Sequence, residues 1–531
     1  MARKNTIFQS AQVRRPERSK FDLSHEVKLT MGMGKLIPIY LEEILPGDSF
    51  RANTEIFLRM QPLLAPIMHR VNCRLDFFFV PTRIIWDEFE DFITGGPQGN
   101  LAPVAPYFNL TSATQNLFDV GTLCDYFGLP NLQLATVNAA NNQKISSLPF
   151  RAYQTIYNEY YRDQSLITEI PVPLTSGDDT TWMTVGDADG QQIRQRAWEK
   201  DYFTSALPWA QRGASVGLPF GTSSVVYRTE ALISQNSVSV DPVGTISAVP
   251  FGAADGVSKM ASAGGIGQLK IDNIQSIALS GTINDLRRSL RLQEWLEKSA
   301  IGGARYIEQN RIHFGVNSSD ARLQRPEYLG GGKSAIQISE VLSTVQQVNP
   351  ADGEPLGNPQ GTMAGHGISF SGAGGFRRSF EEHGHVVGIF SVIPVTAYQQ
   401  GIARSWQRFD KFDYAWPEFA HIGEQAVLNR EVYFTGVVGD TPNATFGYQS
   451  RYSEMKYRPS YSCGDMRASL DFWNMDRIFN AQPGLNEAFI SSDPTTRVFA
   501  VDNQEYANLI VQVYHKVDAL RPLPYYGTPM L

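Results

Sequence analysis

The sequence predicts a mainly β fold, an eight-stranded jelly roll or β-sandwich carrying long loop and helical insertions. Three observations lead there. Short runs rich in β-branched and aromatic residues lie near both ends of the chain. Glycine and proline punctuate the stretches between them, and convincing helices are few. Eight strands need only a fraction of 531 residues, so most of the chain must be loops and insertions.

The first strands are read at 36–41 (LIPIYL), 55–60 (EIFLRM) and 73–80 (CRLDFFFV). In the last, Arg74, Asp76 and Phe78 alternate with Leu75, Phe77 and Phe79, the period of a strand with one buried face. A helix follows over Ile84–Ile93, with Ile85, Trp86, Phe89, Phe92 and Ile93 on one side and Gly95 as its left-handed stop. Arg151–Arg162 reads as a short aromatic helix. Thr282 and Asp285 fit a capping box opening a helix whose Ile283, Leu286, Leu290 and Leu296 share a stripe. Loops are expected at Gly330–Gly332 and across 349–375. The closing strands are His385–Ile393, Glu431–Val438 and Tyr506–Val517, with Leu509, Val511 and Val513 alternating.

Four regions follow from composition. Residues 1–20 carry Arg3, Lys4, Arg14, Arg15, Arg18 and Lys20 against Glu17 alone and form a basic arm. Residues 21–212 and 282–531 supply the β core. Between them, 213–281 holds seven charges and ten glycines in 69 residues, which suggests an excursion that associates with copies of itself, a long disordered loop being the competing reading. Its marker residues are Gly213, Phe220, Phe251, Gly264 and Gly265.

Charge and cysteine usage narrow the function. A net charge of −7 excludes a global field for polyanions, so nucleic acid would need a local patch. Cys73, Cys124 and Cys463 form neither a disulfide framework nor a zinc spacing, which points to a reducing compartment. There is no signal-peptide h-region and no run of 18 or more apolar residues that would span a membrane. Catalytic motifs fail in turn. Gly330–Ser334 resembles the end of a P-loop, but Glu327 stands where the first glycine belongs. His383 and His385 would share one side of a strand as a metal pair, yet lack third and fourth ligands. No GxSxG elbow occurs. No catalytic residue, metal site or cofactor is therefore expected.

Nucleic acid has two candidate contacts. One is the arm. The other is 451–461 (RYSEMKYRPSY), where Arg451, Lys456 and Arg458 interleave with Tyr452, Tyr457 and Tyr461, the mix that holds single strands through stacking and phosphate contacts. An ordinary hairpin with surface charges is the competing reading of that stretch.

Several segments resemble gokushovirus major capsid proteins (Microviridae): FDLSH at 21–25, LIPI at 36–39, LPGD at 45–48, DYFTSALPW at 201–209 and INDLRR at 283–288. The most specific is HFGVNSSDARLQRPEYLGGG at 313–332, followed by YQQG at 398–401, GEQAVL at 423–428, FGY at 446–448 and RPLP at 521–524. They run in order from residue 21 to the C-terminus, and 213–281 sits where that family carries a variable insertion. The resemblance implies a non-enzymatic jelly-roll subunit. Sixty copies would enclose circular single-stranded DNA in the virion, after assembly in the bacterial cytoplasm. It further implies that the insertion gathers at threefold axes to meet a host receptor, and that the partners include small DNA-binding and pilot proteins. A β-rich hydrolase using His383 and His385, or a receptor-binding spike, are the competing classes.

Overall fold

The computed structural model describes residues 16–110, 112–131, 143–184, 190–217, 228–229, 259–262, 265–270, 283–342, 363–437, 439–501 and 507–526. Contacts divide the chain into two units, Met1–Ala210 with Ser299–Leu531, and Gln211–Lys298.

Among the described residues, the two main sheets of the larger unit are made by β1 Ser19–Asp22, β2 His25–Met31, β3 Ile37–Ile44, β4 Ser49–Met60, β5 Val71–Pro81, β6 Glu327–Ala335, β7 Gln337–Leu342, β8 Met363–Ser379, β9 Gly384–Pro394 and β10 Leu509–Arg521. Both are antiparallel. One is six-stranded in the order β1-β10-β4-β8-β7, with β2 also on β10, and the other four-stranded in the order β6-β5-β9-β3. The protein is mainly β, as composition and pattern predict.

The two sheets enclose the principal core. Ile56, Leu58, Val511 and Val513 enter it from the six-stranded sheet, and Leu75, Phe77, Phe79 and Phe390 from the other. A second core lies on the opposite face of the four-stranded sheet. There Phe78, Val80, Val387 and Ile389 pack with Phe150, Tyr153 and Ile156, three residues of a helix at Leu148–Ile156. The reading of β5 as having one wet face is thus corrected at Asp76 and Phe78, both buried. Asp76 is tolerated because Tyr161 and Tyr328 donate hydroxyls to it at 3.1 and 3.2 Å and Arg74 pairs with it at 2.9 Å.

Other expectations change. The helix expected at Ile84–Ile93 is a turn at Thr82–Ile84 followed by a shorter helix at Phe89–Thr94. Ile85 and Trp86 are buried before it starts, which holds them off the helical path, while Gly95 stops it at φ 77° as expected. The 151–162 helix runs over Leu148–Ile156 and widens into a π turn at Tyr157–Tyr161.

Gly330–Gly332 and 363–375, expected as loops, are strand. Their glycines serve close approach. A Cβ on Gly331 would collide with the Leu75 carbonyl, and one on Gly375 with that of Ala52. The strand expected over Glu431–Val438 is absent from its described residues 431–437, because Glu431 and Val432 belong to a helical turn at Asn429–Val432, where Glu431 is buried.

In the smaller unit, Lys259–Ser262 pairs antiparallel with Gly265–Lys270, which also pairs with Arg228–Thr229. The helix expected after Thr282 spans Ile283–Gly302. Thr282 itself lies outside the described residues. Ile283 and Leu290 are exposed, so the stripe they mark is not core.

Candidate interaction surfaces

The described part of the basic arm is already tied to the sheet. Arg18 donates to the Gly47 carbonyl, and the Lys20 ammonium lies 2.8 Å from Asp518. β1 pairs with the end of β10, Ser19 opposite Arg521. The sheet therefore claims the chain from about residue 18, two residues inside the expected arm, through backbone pairing of β1. Arg3, Lys4, Arg14 and Arg15 lie outside the described residues.

The 451–461 stretch is a strand end at Thr445–Ser450, a helical turn at Ser453–Lys456 and a short strand at Ser460–Tyr461. Tyr452 opens the turn with a left-handed φ of 62° and only 8% exposure. Its hydroxyl accepts from the Trp416 amide at 3.2 Å. A ring so enclosed has no free face for a base, so the alternating stacking row fails at this residue. Arg451 lies over that ring at 5.2 Å. Tyr457 and Tyr461 are exposed, as are Lys456 and Arg458, and Arg458 covers Tyr461 at 5.5 Å.

Sequence reading missed the loop beside it. Between 404 and 422, Trp406 and Phe409 are 79% and 86% exposed, and Phe412, Tyr414, Trp416 and Ile422 are about half exposed or more. The loop is built rather than slack. Asp413 accepts from the amides of Phe409 and Asp410 at 2.9 and 2.8 Å, and these bonds hold its carboxyl below the usual range. Trp416 donates its indole N–H to the Lys411 carbonyl at 2.8 Å. Arg408 reaches Glu454 at 3.8 Å, joining the loop to the 453–456 turn. The signal available in sequence was six aromatic residues from Trp406 to Phe419 without strand alternation.

A rigid base carries this loop. The Asp201 carboxylate accepts from the Phe203 and Thr204 amides at 2.8 and 2.7 Å, and from the Thr396 and Tyr398 hydroxyls at 2.6 and 2.7 Å. Glu431 accepts from the Leu428 amide and the Tyr202 hydroxyl, both at 3.0 Å, and from Arg404 at 3.3 Å. Burial pushes its carboxyl up, so these partners are what keep it tolerable inside. The 201–209, 398–401, 423–428 and 446–448 motifs thus converge on one core of Tyr202, Phe203, Tyr398, Val427 and Phe446.

Of the insertion markers, Gly213 adopts a φ of 100° and Gly265 opens a hairpin strand opposite Ser262. Phe220, Phe251 and Gly264 lie outside the described residues. His385 is enclosed near Glu43, and His383 packs edge-on to Phe89 at 5.6 Å. Among the described residues, no three His, Cys, Asp or Glu side chains are grouped to hold a metal, and no helix is long and apolar enough to cross a membrane. The Gly330–Ser334 stretch lies within β6, in a ladder with β5. A shallow groove lined by Lys28, Phe57, Arg59, Tyr126, Ile510 and Gln512 lies open on the outer side of the six-stranded sheet.

The fold is thus a two-sheet scaffold that turns an ordered aromatic loop outward. The chain belongs to the phage capsid protein (F protein) family, whose model matches residues 8–531. It is 38% identical to capsid protein VP1 of Bdellovibrio phage phiMH2K, over 96% of this chain and 95% of that one. VP1 of Chlamydia phage 1 is 35% identical, covering 97% and 96%. VP1 of Spiroplasma virus 4 is 29% identical, covering 97% and 95%. These relatives are those of gokushovirus-like Microviridae, and the resemblance of the short motifs extends to nearly the whole chain.

Proposed function

We propose that this chain is the major shell subunit of a small single-stranded DNA phage. Its two sheets form the jelly roll, sixty copies close an icosahedral shell, and circular single-stranded DNA lies within. The observation that carries this reading is its match to proteins named capsid protein VP1 over 95–97% of either length. Assembly takes place in the bacterial cytoplasm, with small DNA-binding and pilot proteins as partners. The 213–281 insertion gathers at threefold axes and contributes to host attachment. No catalysis or cofactor is assigned to it.

DNA contact is assigned first to Arg3, Lys4, Arg14 and Arg15, and second to Arg451, Lys456, Tyr457 and Arg458. Electron microscopy and sedimentation of particles from expressing cells test the shell, with round particles of one size expected. A small oligomer that never assembles beside its phage partners would overturn it. Deleting residues 1–15 should lower the salt slope of DNA retention by about 3, from roughly 0.7 per cation lost on a single strand. An unchanged slope would remove the arm from the interior.

A further inference from the structure

We propose that the aromatic loop 404–422 is a contact between copies of this chain, buried against a second subunit when the shell forms. The proposal rests on the capsid reading and adds which surface is used.

Exposure comes first. Trp406, Phe409, Phe412, Tyr414, Trp416 and Ile422 are between 47% and 86% exposed within 17 residues. At roughly 150–250 Å² per aromatic side chain, they leave on the order of 700 Å² of apolar surface in water. The largest patch on a typical monomer is about 300–600 Å². One side of a standard protein interface is about 800 Å². The loop alone therefore supplies most of one partner's share, in the Trp-, Tyr- and Arg-rich composition of interface hot spots.

Charge chooses the occupant. The loop carries Arg404, Arg408 and Lys411 against Asp410, Asp413 and Glu418, three of each sign. Arg404 is engaged by Glu431 and Arg408 by Glu454. A surface that tracks a polyanion needs uncommitted cations in excess, whereas here Lys411 stands against Asp410, Asp413 and Glu418. A second copy of a chain whose family builds shells matches both the area and the neutrality.

Order is the third argument. Asp413, the Trp416–Lys411 bond and the Arg408–Glu454 pair fix the loop before any partner arrives. A preordered surface loses little conformational entropy on docking.

The test is hydroxyl-radical footprinting of purified particles and of subunits released from them, together with assembly of the Trp406→Ala/Phe409→Ala variant. In particles, oxidation of Trp406 and Phe409 should fall at least about tenfold, as burial of hot-spot rings requires. The variant should keep the melting temperature of the parent subunit, because it removes no core contact. The concentration at which half of it is assembled should rise at least about tenfold. Equal oxidation in both states would overturn the proposal, and that comparison needs no variant to fold. Protection appearing only with another phage protein present, or loss of oligo-dT affinity with assembly intact, would also overturn it by giving the face to a different occupant. If no particle contained the chain, the capsid reading itself would fail.

Discussion

The two sheets of the core are made from the same kinds of residues but are covered differently. In β4 every second residue is buried from Phe50 to Met60, leaving Arg51, Asn53, Glu55, Phe57 and Arg59 outward. In β9 all but one of eleven residues are buried. The six-stranded sheet has one packed face, whereas the central strands β5 and β9 of the four-stranded sheet are covered on both, by the partner sheet and by the Leu148–Ile156 layer. Strict alternation therefore marks a strand with a free side, and a continuous apolar run marks one covered twice, even in an antiparallel sheet.

The strongest break of this contrast is a pair of truncations. Phe77 and Phe78 are neighbours on β5 that point into different cores. Phe77→Ala and Phe78→Ala should each cost about 3–5 kcal/mol in urea unfolding. A small loss at Phe78 alone would mean that the second face is a cover rather than a core.

Acid probes the link between the sheets. His515 on β10 is fully buried, with Nδ1 at 2.9 Å from the Thr54 hydroxyl and Nε2 at 3.0 Å from the Ile39 carbonyl of β3. Neutral imidazole suits both bonds, with Thr54 donating and Nε2–H donating to Ile39. Burial, reinforced by nearby His25, pushes the ring from 6.5 to about 4. The unfolded chain then binds a proton below pH 6.5 that the folded chain refuses. Stability is fully present above that pH and falls as pH drops toward 4, by about 3 kcal/mol from this group. Burial depresses His69 and His385 in the same direction. Melting temperature measured from pH 7 to 4.5 should fall, and less steeply in His515→Asn. Identical slopes would assign the acid loss elsewhere.

The smallest effect should come from the free side. Phe57→Ala, at an outward position of β4, should change stability by no more than about 1 kcal/mol. A core-sized loss in the isolated subunit would show that this face is covered within the chain itself.

Much of this was legible because periodicity reports burial. β4, β5, β9 and β10 were readable from alternation or from apolar density, and Leu509, Val511 and Val513 do face inward. β8 was not, because Gly375 and its neighbours look like loop residues until the backbone they approach is known. The aromatic loop was invisible for a related reason. Trp406 and Phe409 have the composition of core, and only the folded chain shows them outside. The interleaved 451–461 stretch looked uniform in sequence, yet Tyr452 and Tyr457 have opposite exposures.

The position of β10 sets a timetable for synthesis. Among the described residues, β1 and β2 pair with β10 alone, and β10 fills the place between them and β4. A ribosome delivers residues 19–31 long before residues 509–521, at about 5–20 residues per second. For on the order of tens of seconds, then, the first two strands have no partner and β4 keeps a bare edge. A chain broken off before residue 509 never acquires one. Closure of this sheet thus waits on β10, and until that strand arrives the edge of β4 that it will occupy stays open.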